Sequence, residues 1–321
     1  MEKNRIAVLT SGGDAPGMNA CIRSVVRNGI ASGFEMVGII RGYNGLIENE
    51  MIPMDKRSVG NIINRGGTLL RTARCLEFKT EEGQKTALEN IKKNNICGVV
   101  VIGGDGSFRG CKALTELGIP AIGIPATIDN DLAYTDYTLG FDTAINTVVD
   151  SISKIRDTMA SHDRVSIIEV MGNKCGDLAL YAGLCGGAEY IIMPELLWSI
   201  EGLCGRLEQS KAAGKTSGIV VVAEGATKGA TVAEEIKKRT GMDTRTTVLG
   251  YIQRGGSPSA RDILLASRFG SYAINLVKQG IGGRCVGIKN DKLFDMDIIE
   301  ACEMKKEFNR ELFDIAEVLL R

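Results

Sequence analysis

The sequence predicts an α/β fold of two lobes, each a mainly parallel sheet flanked by helices. Three observations carry this. Short β-branched runs alternate with amphipathic helical stretches along the whole chain. Glycine-rich and acidic loops follow several of those runs, at the carboxyl ends of strands, where open α/β sheets hold ligands. At 321 residues the chain can bury a large core and divide into two lobes.

The elements follow in order. Arg5–Thr10 reads as a strand leading into a helix over Met18–Ala31, with a strand near Glu35–Ile40. A polar helix is expected over about Glu81–Asn94, then the strand Cys97–Ile102 and a helix from about Ser107 to Leu117. Ala121–Ile124 is a short strand. Phe141, Ala144, Ile145, Val148, Val149, Ile152, Ile155 and Met159 recur at three- and four-residue spacing, which predicts a long helix. Its start, near 138–140, marks an expected lobe boundary. Strands follow at Val165–Val170, Gly218–Ala223 and Thr246–Leu249, with helices near Gly176–Gly186, Ile200–Ala213 and Val232–Thr240. A helix starting near Pro258 and a strand at Arg284–Ile288 complete the pattern.

Composition narrows the function classes. Lys plus Arg equals Asp plus Glu at 39 each, so global charge implies no nucleic-acid partner. No apolar stretch approaches the ~18 residues of a membrane span. The first strand begins too early to follow a signal peptide, and the expectation is a cytoplasmic protein. The nine cysteines form no Cys-x-x-Cys and there is one histidine, so no zinc set is expected and the cysteines read as reduced, mostly buried thiols. That histidine, His162, stands where the long helix should end, and a helix C-terminal position rather than catalysis is its expected role.

Three loops carry the chemistry. Thr10–Asn19 joins the first strand to a helix, and its glycines admit a polyphosphate to a helix N-terminus. Gly103-Gly104-Asp105-Gly106-Ser107 repeats the design and adds a carboxylate. A carboxylate beside phosphate oxygens repels them unless a cation lies between, and magnesium is held by one or two carboxylates plus phosphate oxygens. Pro125-Ala126-Thr127-Ile128-Asp129-Asn130-Asp131 supplies an ionised Asp able to take a hydroxyl proton, and a threonine that can bond the substrate. Together they form the equipment of a phosphoryl-transfer enzyme. No strict Gly-x-Gly-x-x-Gly occurs. Gly214-Lys215-Thr216 is no P-loop, because Gln209 stands where its first glycine belongs and a strand follows it.

Thr10–Asn19, Asn64–Thr68, Gly103–Ser107, Pro125–Asp131, Glu169–Gly172 and Gly250–Pro258, in that order, resemble the bacterial ATP-dependent 6-phosphofructokinases over nearly the whole chain. The resemblance implies a Rossmann-like phosphofructokinase fold. Its ATP-binding lobe would comprise 1–138 plus about 251–301, and its fructose 6-phosphate lobe 139–250 plus about 302–321. It implies transfer of the ATP γ-phosphoryl group to the 1-hydroxyl of fructose 6-phosphate, with magnesium, in a homotetramer. Asp129 would be the base, with Thr127 and Arg74 also catalytic. Gly13, Arg74, Cys75, Gly104, Asp105, Gly106 and Ser107 would line the ATP site, with Asp105 on the metal. Thr127, Ile128, Asp129, Met171, Gly172, Asn173, Glu224, Tyr251 and Arg254 would hold the sugar phosphate, with Arg164 and Arg245 reaching in from a neighbouring subunit. Arg23, Arg27, Lys56, Arg57, Arg156, Glu189 and Lys215 would form an effector site for ADP or phosphoenolpyruvate between subunits.

Departures from the family pattern bear on affinity and regulation. Tyr251 stands where many relatives have His, Asn173 where an Arg is common, and Cys75 where an aromatic residue often flanks the nucleotide. Ala213 and Thr216 replace basic residues of the effector site, which implies a weaker or altered effector response. Gly106 and Ala126 stand where pyrophosphate-dependent relatives usually carry Asp and Lys, and this favours ATP as donor. The alternatives are a pyrophosphate-dependent or otherwise altered sugar kinase, or a non-catalytic nucleotide sensor on the same fold. Asp105 and Asp129 argue against the sensor. A lipid or dinucleotide kinase with a Gly-Gly-Asp-Gly loop leaves Pro125–Asp131 and Gln253–Gly256 unexplained.

Overall fold

The computed structural model describes residues 4–319. The chain runs β1 (Arg5–Ser11), α1 (Met18–Ala31), β2 (Glu35–Ile39), α2 (Tyr43–Glu48), β3 (Met51–Met54), α3 (Glu81–Lys93), β4 (Ile96–Gly103), α4 (Asp105–Glu116) and β5 (Ala121–Pro125). It continues with α5 (Phe141–Ala160), β6 (Val165–Val170), α6 (Asp177–Gly186), β7 (Tyr190–Ile192), α7 (Ile200–Ala212), β8 (Gly218–Ala223), α8 (Gly229–Thr240) and β9 (Thr244–Val248). The last elements are α9 (Ala260–Lys278), β10 (Arg284–Lys289), β11 (Lys292–Asp297), α10 (Ile298–Glu303) and α11 (Arg310–Leu319).

These elements fold into two units. The first takes the chain through Thr127, then Leu132–Asp142 and Arg254–Lys306. The second takes Ile128–Asp131, Thr143–Gln253 and the chain from Glu307 onward. The short segment bearing Asp129 and Asp131 therefore belongs to the second unit, while the strand before it belongs to the first.

The first unit is built on a seven-stranded sheet, ordered β11-β10-β5-β4-β1-β2-β3. Its centre is parallel: β1 pairs with β2 and β4, and β4 with β5. Such strands are covered on both faces, so they read as continuous apolar runs. Val99, Val100, Val101 and Ile102 are all fully buried. The edge strands β3 and β11 are antiparallel to their neighbours, and the alternation of parallel strands did not predict them. On one face Leu9, Val101, Phe108, Leu114 and Tyr134 share a core with the short helices α2 and α10.

The second unit is a four-stranded parallel sheet, β7-β8-β6-β9. Ile167, Val220, Val222 and Ile236 are fully buried in its core, each such side chain contributing about 1.5–3 kcal/mol by leaving water. β9 begins at Thr244, two residues before the expected strand, because Thr244 and Arg245 pair with Val165 and Ser166. α5 has the expected extent and buries Ala144, Val148, Ile152 and Met159. Just past it, His162 Nδ1 lies 2.9 Å from the Thr158 carbonyl, capping the helix as its position implied. Among the described residues, no helix is long and apolar enough to cross a membrane.

Candidate active site

In the first unit three strand ends lie side by side. Ser11 of β1 pairs with Gly103 of β4, which pairs with Pro125 of β5. The chain after β4 turns at once into a helix. Gly104 is extended and caps α4, and Asp105, Gly106 and Ser107 form its first turn, two residues earlier than the sequence indicated. Ser107 N and Phe108 N both donate to the Gly104 carbonyl, at 3.0 and 3.1 Å, and the start of a helix such as this one favours anions. Side chains are spare here for a reason. A Cβ on Gly104 would lie 3.3 Å from Thr127 Cβ, whereas one on Gly106 would meet nothing within 4 Å. Asp105 Oδ2 accepts from Arg109 Nη2 at 2.8 Å, an exposed pair. Ser107 is turned inward, its hydroxyl close to Gly12 and Gly103 and without a hydrogen-bond partner.

A residue that sequence reasoning missed supports this turn. Tyr43 Oη donates to the Ser107 carbonyl at 2.7 Å in a buried position. Burial pushes the phenol well above its ordinary range, so it remains a neutral donor. Its ring stacks on Phe78 at 4.4 Å, and Phe78 lies in the 3₁₀ turn that follows Arg74 and Cys75. Both predicted nucleotide-binding segments thus lean on one aromatic pair. Gly110 makes room for it, since a Cβ there would fall 2.4 Å from the ring. Gly110→Ala should destabilise the fold by about 1–3 kcal/mol through overpacking, read from the denaturant midpoint.

The remaining first-unit residues surround the same edge. Arg254 Nη2 donates to Asp14 Oδ1 at 2.6 Å and passes so close to Gly13 that a Cβ there would lie 2.9 Å from it. Asn19 Nδ2 donates to the Arg65 and Gly66 carbonyls, both at 3.1 Å, which pins the Asn64–Thr68 motif to α1. Thr138 Oγ1 donates to the Thr127 carbonyl at 2.6 Å. Arg74 is exposed and Cys75 half-buried, its thiol pushed up by burial.

In the second unit the carboxyl ends of β6 and β8 converge. Met171 N donates to Gln253 Oε1 at 3.1 Å, and Asn173 N to Glu224 Oε1 at 3.1 Å. Gly172 has φ 137°, outside the range of other residues. Ile128 is buried, Asp129 partly exposed, and Tyr251 79% exposed. Arg164 and Arg245 are not part of this group. They lie at the other end of β6, a six-residue strand that spans about 17 Å. There both bind one carboxylate, Arg164 Nε to Asp243 Oδ2 at 2.6 Å and Arg245 Nη1 to Asp243 Oδ1 at 2.5 Å. Those partners hold the Asp243 carboxyl below the usual carboxylate range, the Arg164 hydrogen bond contributing most.

The residues expected to form the effector site fall into two groups. Arg23, Arg27, Lys56 and Arg57 belong to the first unit, where Arg27 Nη2 reaches the Lys56 carbonyl at 3.5 Å. In the second unit the buried Glu189 carboxylate takes Arg156 at 3.5 Å and Lys215 at 2.5 Å.

The phosphofructokinase family model matches residues 5–277. The chain belongs to the phosphofructokinase family. A Clostridium tetani protein named ATP-dependent 6-phosphofructokinase is 57% identical over 315 residues, covering 98% of this chain and 99% of that one. The Clostridium perfringens ATP-dependent 6-phosphofructokinase 1 is 55% identical with the same coverage. The phosphofructokinase from Saccharomyces cerevisiae superposes with a TM-score of 0.93 at 30% identity, covering 99% of this chain and spanning 50% of the yeast one. A pyrophosphate-dependent phosphofructokinase from Marinobacter aquaeolei, at 22% identity and TM-score 0.85, covering 96% of this chain and 86% of that one, shares the phosphofructokinase fold.

Proposed function

We propose that this phosphofructokinase transfers the γ-phosphoryl group of ATP to the 1-hydroxyl of fructose 6-phosphate, giving fructose 1,6-bisphosphate and ADP. The observation that carries the reading is its likeness, from end to end, to proteins named ATP-dependent 6-phosphofructokinase. The first turn of α4 would receive the nucleotide phosphates on backbone N–H groups, with the open space at Gly106 beside them. Gly13, Arg74 and Cys75 would complete the nucleotide site. Thr127, Ile128, Met171, Gly172, Asn173, Glu224, Tyr251 and Arg254 would hold the sugar phosphate, and Asp129 would take the 1-hydroxyl proton as the oxygen attacks phosphorus.

Among the described residues no group of three or more His, Cys, Asp or Glu is placed to hold a metal. A magnesium ion bound through Asp105 and the phosphate oxygens fits this donor set, since magnesium needs few protein carboxylates. When bound, it would neutralise charge on the transferring phosphoryl group. Asp105 stands at the head of α4, where its carboxylate pairs with Arg109.

The same reading makes the enzyme a cytoplasmic homotetramer. Arg164 and Arg245 lie a strand's length from Met171 and Glu224, which supports their serving the site of a neighbouring copy. The exposed Val248, Tyr251 and Ile252 supply apolar surface suited to subunit contact. ADP or phosphoenolpyruvate would bind between copies, at Arg23, Arg27, Lys56 and Arg57 of one and Arg156, Glu189 and Lys215 of the other. Ala213 and Thr216 are exposed and bring no charge to that site. Titration with either effector at subsaturating fructose 6-phosphate is expected to give a shallow response; a steep one contradicts the weakening.

Phosphorus NMR of a reaction containing magnesium, ATP and fructose 6-phosphate tests the function directly. A new phosphomonoester at the sugar C1 position is expected. ADP and inorganic phosphate without that ester would exclude the transfer.

A further inference from the structure

The turn between Asp129 and Asp131 is pinned at its centre. Asn130 has φ 51°, in the left-handed region that asparagine tolerates better than most residues. It is 1% exposed, and its Nδ2 donates to Asp177 Oδ2 at 2.9 Å. Asp177 is equally sequestered, 6% exposed, and is the first residue of α6, where the helix end favours negative charge. A buried hydrogen bond from an amide to a carboxylate is among the stronger ones. Asn130 and Asp129 share a peptide plane, so fixing the backbone and side chain of Asn130 fixes where the Asp129 Cα lies and restrains the directions its side chain can take.

We propose that Asp177 is a positioning residue for the reaction: by holding Asn130 in its left-handed turn, it aims the Asp129 carboxylate at the hydroxyl it deprotonates. This rests on the reading of Asp129 as the proton acceptor. Asp177 itself touches no reacting atom. Its contribution is to turnover, because a misdirected base leaves substrate binding intact.

Four variants test it, each checked for folding by circular dichroism and each assayed for kcat and for both KM values. Asp177→Ala should lower kcat about 10- to 100-fold, the scale expected when a reacting group is displaced by about 1 Å, with both KM values near wild type. Asn130→Asp should fall at least as far, since two carboxylates then face each other. The exchange Asn130→Asp with Asp177→Asn restores a donor opposite an acceptor and should recover most of the lost kcat. Unchanged kcat in Asp177→Ala, loss confined to KM, or an exchange no better than Asn130→Asp alone would overturn the proposal. If Asp177→Ala does not fold, the exchange decides by itself. Asp129→Asn separates the two layers: wild-type turnover there sinks the base assignment, whereas an inactive Asp129→Asn beside a fully active Asp177→Ala sinks only the positioning role.

Discussion

Asp129→Asn is expected to lower kcat by about two to four orders of magnitude, the usual contribution of a positioned general base. The substitution keeps size and shape but removes the proton acceptor. Asp129 is partly exposed on a segment whose neighbours Ile128 and Asn130 are buried, so the loop should keep its conformation. Phosphoryl transfer depends chiefly on positioning and on electrostatic stabilisation of a charged transition state, so a group that only takes the hydroxyl proton acts on turnover rather than on binding. Both KM values should therefore stay near wild type while kcat falls. Steady-state kinetics check this, and a matched rise in KM with unchanged kcat would instead make Asp129 a binding residue.

Gly106→Asp is expected to raise the KM for ATP about 10- to 100-fold, from roughly 1–3 kcal/mol of repulsion at a partly solvated site. The fold should tolerate the change. Gly106 lies in the first turn of α4 without a positive φ, a Cβ there meets nothing, and a carboxylate suits a helix N-terminus. The cost arises only when a polyphosphate arrives, because a second carboxylate beside Asp105 competes with it for the same N–H groups and space. Gly106→Ala, which adds bulk without charge, should do far less. Equal effects of the two variants would point to steric exclusion, and no effect of either would remove Gly106 from the nucleotide site.

The parts of the fold that were legible in sequence are those where local pattern and burial agree. Val99–Ile102 and Val165–Val170 read as strands because parallel strands are covered on both faces, and α5 read as a helix because its apolar residues keep helical spacing. β3 and β11 did not, since each is an edge strand with few buried side chains and β3 contains Pro53. α2 has six residues, too few for a period to show. The position of the Asp105 and Asp129 loops at strand ends was legible because each follows a short apolar, β-branched run. The residues that hold them were not. Tyr43 meets Ser107 from 64 positions away, and Asp177 meets Asn130 from 47. No local pattern encodes such pairings. The separation of Arg164 and Arg245 from Glu224 was legible, since the two arginines precede their expected strands and Glu224 follows its own.

The central claim is that this chain phosphorylates fructose 6-phosphate from ATP. An aldolase-coupled assay with fructose 6-phosphate and magnesium, offering ATP and pyrophosphate in separate reactions, tests it most directly. Turnover with ATP and none above background with pyrophosphate is the predicted result. Turnover with pyrophosphate alone would contradict the donor read from Gly106, and turnover with neither would contradict the enzyme.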